Sequence, residues 1–154
     1  MAGVISSTIE VCVFKSIAGA PRYLLLRRSK KVHVYPGLWQ FVTGTLEAKE
    51  RAAEAALREL AEETGLAPVS FWVVPHVITF FDPVQDAVCL SPLFAAQVDP
   101  AVEPKLSEEH SEYGWFDPEE AGRMLVWPGQ RAGLKIVNEF IVNGGSGADL
   151  TRLG

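Results

Sequence analysis

Apolar and polar positions change their period several times along this chain, and each change predicts an element. Residues 7–14 (Ser-Thr-Ile-Glu-Val-Cys-Val-Phe) and 22–28 (Arg-Tyr-Leu-Leu-Leu-Arg-Arg) predict two strands, with Gly19 and Pro21 in a turn over residues 15–21. After a basic loop from Arg27 to Lys31, residues 38–43 predict a short strand closed by Gly44. Residues 48–64 then shift to a helical period. Ala53, Ala56, Leu57, Leu60 and Thr64 fall on one stripe, Gly65 suits a left-handed helix end, and Pro68 prevents a restart. Residues 69–81 and 87–98 predict strands joined through Asp82-Pro83, and residues 112–116 a shorter one. Asp117-Pro118 opens a helical segment, and residues 130–142 predict a last amphipathic helix. Strands, helix, strands, helix is the order of an α/β protein with helices packed on a mixed sheet.

The length, 154 residues, suits one domain. We place it at residues 1–143, with a flexible Gly/Ser-rich tail at 144–154. Hydrophobic residues make up 48% and charged residues 21%, which excludes general disorder. The net charge of −5, with no basic run, argues against a nucleic acid polymer or an anionic membrane as partner. No basic leader and no long apolar run are visible, so the expected location is cytoplasmic. Cys12 and Cys89 lie in apolar, strand-like runs without metal-binding spacing, and read as buried thiols.

One stretch departs from what stability alone would favour. Glu59, Glu62 and Glu63 crowd the end of the predicted helix, within an arc of roughly 100°. Neighbours three and four apart repel, and the helix dipole is negative at this end. Divalent cations reverse both penalties, because Mg²⁺ prefers carboxylate oxygen, water and substrate phosphates. The chemistry indicated is metal-assisted attack of water on a phosphoanhydride. Arg58 stands beside the cluster and can hold the glutamates in a planar fork.

Gly44, Glu50 and the run Arg58-Glu59-Leu60-Ala61-Glu62-Glu63-Thr64-Gly65-Leu66 resemble the Nudix box, G-x5-E-x7-R-E-U-x-E-E-x-G-U, where U is a bulky aliphatic residue. Every specified position is filled. The resemblance implies the Nudix fold, an α/β/α sandwich with a central mixed sheet and the Nudix helix at about residues 48–64. It also implies Mg²⁺ or Mn²⁺ held by Glu59, Glu62 and Glu63, with Glu50 and Arg58 in support. Either Glu59 or a glutamate outside the box would deprotonate water. Many members have Gly where this chain has Lys49.

The flanks, Leu38 to Thr43, Ser107 to Phe116 and Trp127-Pro128-Gly129-Gln130, are similar to the dihydroneopterin triphosphate pyrophosphatase branch. By that likeness Glu109 is an additional metal-binding and catalytic glutamate, beside Arg58, Glu59 and Glu62. The expected reaction releases pyrophosphate from a nucleoside or pterin triphosphate. ADP-ribose, a nucleotide sugar or a dinucleoside polyphosphate are alternative substrates, and a binding module without catalysis is a third reading. Arg28, Trp39, Gly44, Phe81 and Trp127 are the candidate substrate-binding residues: aromatic faces stack on flat rings and arginine meets phosphate. His110 adjoins Glu109 and is the histidine best placed to reach the site. The partner is a small phosphoanhydride molecule, taken by a monomer or homodimer.

Overall fold

Alternation along the central strands sends successive side chains to opposite faces, and a helical layer covers each face. The computed structural model describes residues 1–154. In chain order the elements are β1 (Gly3–Ile5), β2 (Thr8–Ile17), β3 (Ala20–Arg28), β4 (Trp39–Gln40), β5 (Val42–Thr45), α1 (Ala52–Thr64), β6 (Ser70–Asp82), β7 (Ala87–Gln97), β8 (His110–Phe116), α2 (Pro118–Met124) and α3 (Pro128–Ile136). A π-helical stretch (Val137–Val142) continues α3, and α4 (Ser146–Asp149) follows.

The strands form one mixed sheet. β2 runs parallel to β7 and antiparallel to β3 and β5. β6 pairs antiparallel with β7, and β8 with β3. Ile9, Val11 and Val13 of β2 pack with Leu24, Leu26 and Val42 beneath Ala55, Ala56 and Leu60 of α1. Cys12 and Phe14, one residue out of phase, pack with Tyr23, Leu25 and Phe41 beneath Ala121, Leu134 and Val137. This is the α/β/α sandwich. Both cysteines are free and buried. No helix is long and apolar enough to cross a membrane.

Several boundaries differ from the sequence pattern, each for a local reason. The hairpin turn is tighter than residues 15–21: Ala18 and Gly19 both take positive φ, 52° and 80°, which matches the strand twist and lets both strands run on. The single strand expected at 38–43 is two strands. Phe41 turns into the core between them, Trp39–Gln40 pairs with β3, and Val42–Thr45 continues beyond Gly44 on β2. The helix expected from residue 48 begins at Ala52, because Lys49 is left-handed (φ 64°) and the Arg51 N–H donates to Glu54 Oε2 at 3.3 Å. Its buried stripe is rotated: Ala55, Ala56, Leu60, Glu63 and Thr64 are buried, whereas Leu57 is exposed. The last helix starts at Pro128, two residues earlier than expected, because the proline fits the first helical position. At the C-terminus, read from sequence as a mobile tail, residues 146–149 are helical and Arg152 bridges to Trp72 of β6.

Candidate active site

The carboxylate cluster grows from the way α1 lies on the sheet. Ala55, Glu59 and Glu63 follow one another at four-residue steps, beside the buried row Ala56, Leu60 and Thr64. Packing Leu60 and the alanines therefore carries Glu59 and Glu63 inward, while Glu62 stays exposed. Gly65 ends the helix with φ 69°, and its N–H donates to Ala61 O.

Arg58 organises the polar edge of this helix. Its Nε donates to Glu50 Oε2 at 2.7 Å and its Nη2 to Glu50 Oε1 at 2.9 Å, a bidentate pair. Its Nη2 also donates to Thr45 O, and its Nη1 to Glu59 Oε1 at 2.8 Å and Glu62 Oε2 at 3.1 Å. The guanidinium beside Glu50 holds that carboxyl down to about 2, helped by the Glu47 N–H. Glu59 lies above the usual carboxylate range because burial outweighs Arg58.

Glu63 is the deepest of the acids, 4% exposed, and its Oε2 has no hydrogen-bond partner. Burial, then the negative charges of Glu59 and Glu109, push it up to about 9. Glu63, Glu109 and His110 each bring one ligand atom within 4.8 Å of the others. An orphaned buried carboxyl oxygen beside further carboxylates fits a hard divalent cation such as Mg²⁺ or Mn²⁺. His110 is buried and lies below its usual range, first from desolvation. Gln40 Nε2 lies 3.1 Å from its Nε2, so that nitrogen accepts and the proton sits on Nδ1. His110 Nδ1 is buried without a hydrogen-bond partner, a second unmatched polar atom beside Glu63 Oε2.

Beside this cluster is a cavity of about 580 Å³. Tyr35, Phe80, Phe81 and Trp127 contribute aromatic surface, and Tyr35 meets Trp127 edge-on at 5.0 Å. Glu10, Gln40, Ser91 and Gln130 supply polar groups. Gly44 and Gln40 connect cavity and cluster. The Gly44 backbone lines the cavity, while a Cβ on it would overlap the Glu59 side chain. Gln40 lines the cavity and contacts His110.

Of the residues singled out from sequence, Gly44, Phe81 and Trp127 line the cavity; Arg28 and Trp39 do not. Arg28 Nε donates to Val34 O at 2.7 Å and so fixes the loop that carries Val34 and Tyr35. Trp39 packs edge-on against Phe116 at 5.6 Å. Arg58, Glu59 and Glu62 are joined by hydrogen bonds, and Glu63 and Glu109 lie together across α1 and the start of β8. Glu10, Gln40, Tyr35 and Gln130 were not singled out from sequence. A charged Glu10 between the apolar Ile9 and Val11 was the one visible signal.

Comparison with known proteins agrees with this arrangement. The family model for the NUDIX domain matches residues 8–138. The chain is 34% identical over 129 residues to an octanoyltransferase of Myxococcus xanthus, matching 83% of the chain but spanning only 35% of that protein. It is 31% identical over 105 residues to the nucleoside triphosphatase NudI of Escherichia coli, matching 64% of the chain and 74% of that protein. A putative NUDIX hydrolase from Listeria monocytogenes superposes with a TM-score of 0.73 at 25% identity, covering 89% of this chain and 94% of that one. An Ap4A hydrolase from C. elegans has the same fold, with TM-score 0.73 at 20% identity over 91% of this chain and 99% of that one. Sequence, fold and a filled box of carboxylates thus agree, and the chain belongs to the Nudix hydrolase family, a family acting on phosphoanhydride bonds.

Proposed function

We propose that this protein is a divalent-metal-dependent pyrophosphohydrolase that converts a nucleoside or pterin triphosphate into the monophosphate and pyrophosphate. The observation that carries this reading is the junction at Gly44, where an aromatic-walled cavity sized for a flat ring meets the carboxylate cluster. The match to a nucleoside triphosphatase supports it.

Glu59, Glu62, Glu63 and Glu109 would hold the cation. When bound, it neutralises phosphate charge and makes a coordinated water more acidic. Arg58 fixes Glu59 through Oε1 alone, which leaves Oε2 to accept the water proton. The water oxygen bonds to the α-phosphorus, the bond to the bridging oxygen breaks, and pyrophosphate departs with those electrons. Glu50 stays ionised and keeps Arg58 in place. His110, held by Gln40, lies beside Glu63 and Glu109.

The test is pyrophosphate release with Mg²⁺, comparing dihydroneopterin triphosphate with the common dNTPs and NTPs. A preference of ~100-fold in kcat/KM for one triphosphate, about 2.7 kcal/mol, is expected. Cleavage of ADP-ribose or a dinucleoside polyphosphate into two phosphorylated fragments, with triphosphates left intact, would overturn it.

A further inference from the structure

The floor of the cavity holds a polar pair that the hydrolytic chemistry does not use. Glu10, on β2, and Gln130, in the first turn of α3, are 7% and 4% exposed, and both line the cavity. They are 120 residues apart in sequence and meet only because α3 covers this face of the sheet. Gln130 Nε2 donates to Glu10 Oε1 at 2.6 Å. Gln130 Oε1 is buried and has no partner.

A buried carbonyl oxygen without a donor is costly, by ~1–3 kcal/mol, and such groups are rarely left unmatched. Nothing in the core needs a glutamate at position 10 either: Cys12 and Phe14, on the same face of β2, are apolar core residues. Turned toward the cavity that both residues line, the pair offers an amide oxygen that requires an N–H and, next to it, the second carboxyl oxygen of Glu10. A carboxyl group can accept from a ring N–H or, when protonated, donate to a bare ring nitrogen. The complementary ligand edge is an exocyclic amino group beside a ring nitrogen.

We propose that Glu10 and Gln130 read the heterocycle of the substrate, and that they select a bicyclic ring bearing an exocyclic amino group next to a ring nitrogen, as in aminopurines and pterins. The amino group donates to Gln130 Oε1, and the adjacent ring nitrogen meets the Glu10 carboxyl. Phe80, Phe81, Tyr35 and Trp127 supply the apolar walls around the ring. A ring with an oxo group in place of the amino group, or with none, leaves Gln130 Oε1 unmatched, and a site built on such hydrogen bonds rejects it. This inference rests on the triphosphate reading above for its place in the reaction, but its recognition chemistry is independent of turnover.

The experiment measures equilibrium binding of GMP, AMP and IMP to the full-length protein by NMR titration without divalent metal. IMP lacks the 2-amino group of GMP and carries oxygen where AMP has its 6-amino group, so it is the amino-free control for both. At least one of GMP and AMP is expected to bind ~10-fold or more tightly than IMP. In Gln130→Ala and Glu10→Gln, with thermal melting confirming the fold, that advantage should shrink to within ~3-fold. IMP binding within ~3-fold of both amino nucleotides in the unaltered protein overturns the proposal, and no variant needs to fold for that result. An intact amino preference in a protein that hydrolyses no triphosphate would overturn the proposed reaction while supporting the ring-reading pair. Hydrolysis of triphosphates without any amino preference would do the reverse.

Discussion

Gly44 of β5 and Glu59 of α1 approach so closely that a methyl group on Gly44 would overlap the Cγ and Cδ atoms of Glu59. The glycine is therefore required by contact with the helix packed on it, since its own φ is not in the left-handed region. Gly44→Ala should push Glu59 off Arg58 and lower kcat by ~10²-fold, the scale expected for displacing a catalytic group by about an ångström. The steady-state rate and the melting temperature together check this. An unchanged rate would show that the Glu59 position observed here is not the working one.

Arg58 joins Glu50, Glu59, Glu62 and the Thr45 carbonyl through one planar group. Lysine preserves the charge but not the fork. Arg58→Lys should reduce turnover ~10-fold or more, with KM for the metal rising, since supporting residues of this kind typically cost 10–100-fold in affinity or activity. Titrating the rate with Mg²⁺ separates this from simple loss of fold.

Glu63 sets function against stability. Its buried Oε2 is unpartnered, and its carboxyl is pushed up to about 9 without metal. Glu63→Gln removes that buried acid, so it should raise the melting temperature in chelator at pH 8. The same change should lower turnover by at least ~10²-fold. A variant that loses stability in chelator would show that the carboxylate is matched in solution by a group other than metal.

Glu10 makes stability depend on pH. Its folded-state value is about 7 against an ordinary 4.5, chiefly from burial. The folded protein then binds more protons than the unfolded chain between those values, so stability falls as pH rises through the window. The contribution is fully present below about 4.5 and lost above about 7. Denaturant unfolding of the unaltered protein and Glu10→Gln, both in chelator, isolates it. Their stability difference should shift by about 3 kcal/mol between pH 4.5 and pH 7.5, with the unaltered protein relatively more stable at the acid end. A difference independent of pH would mean that Glu10 is ionised in the folded protein.

The alternating strands, the capped helix ending at Gly65 and the acidic run beside Arg58 were legible in the sequence because each is a local property. Side-chain period, helix termination and neighbouring charges depend on residues a few positions apart. The box pattern carried the family for the same reason: its spacing lies within one turn-and-helix segment, residues 44–66. Boundaries were less legible. The start of α1 depends on the left-handed Lys49, and the division of residues 38–43 between β3 and β2 depends on where Phe41 finds the core.

Only the tertiary structure decided which residues surround the cavity. Glu10 and Gln130 lie at opposite ends of the chain, and their pairing exists because α3 folds back over β2. Gln40 and His110 meet because β4 and β8 both pair with β3. Arg28 and Trp39 look from sequence like substrate groups, yet loop anchoring and aromatic packing take up their side chains. The sequence by itself determined most of the elements and the box carboxylates Glu59, Glu62 and Glu63, whose order is written along one helix. The cavity wall is assembled from distant strands and loops, so its geometry came into being only when the sheet and α3 came together.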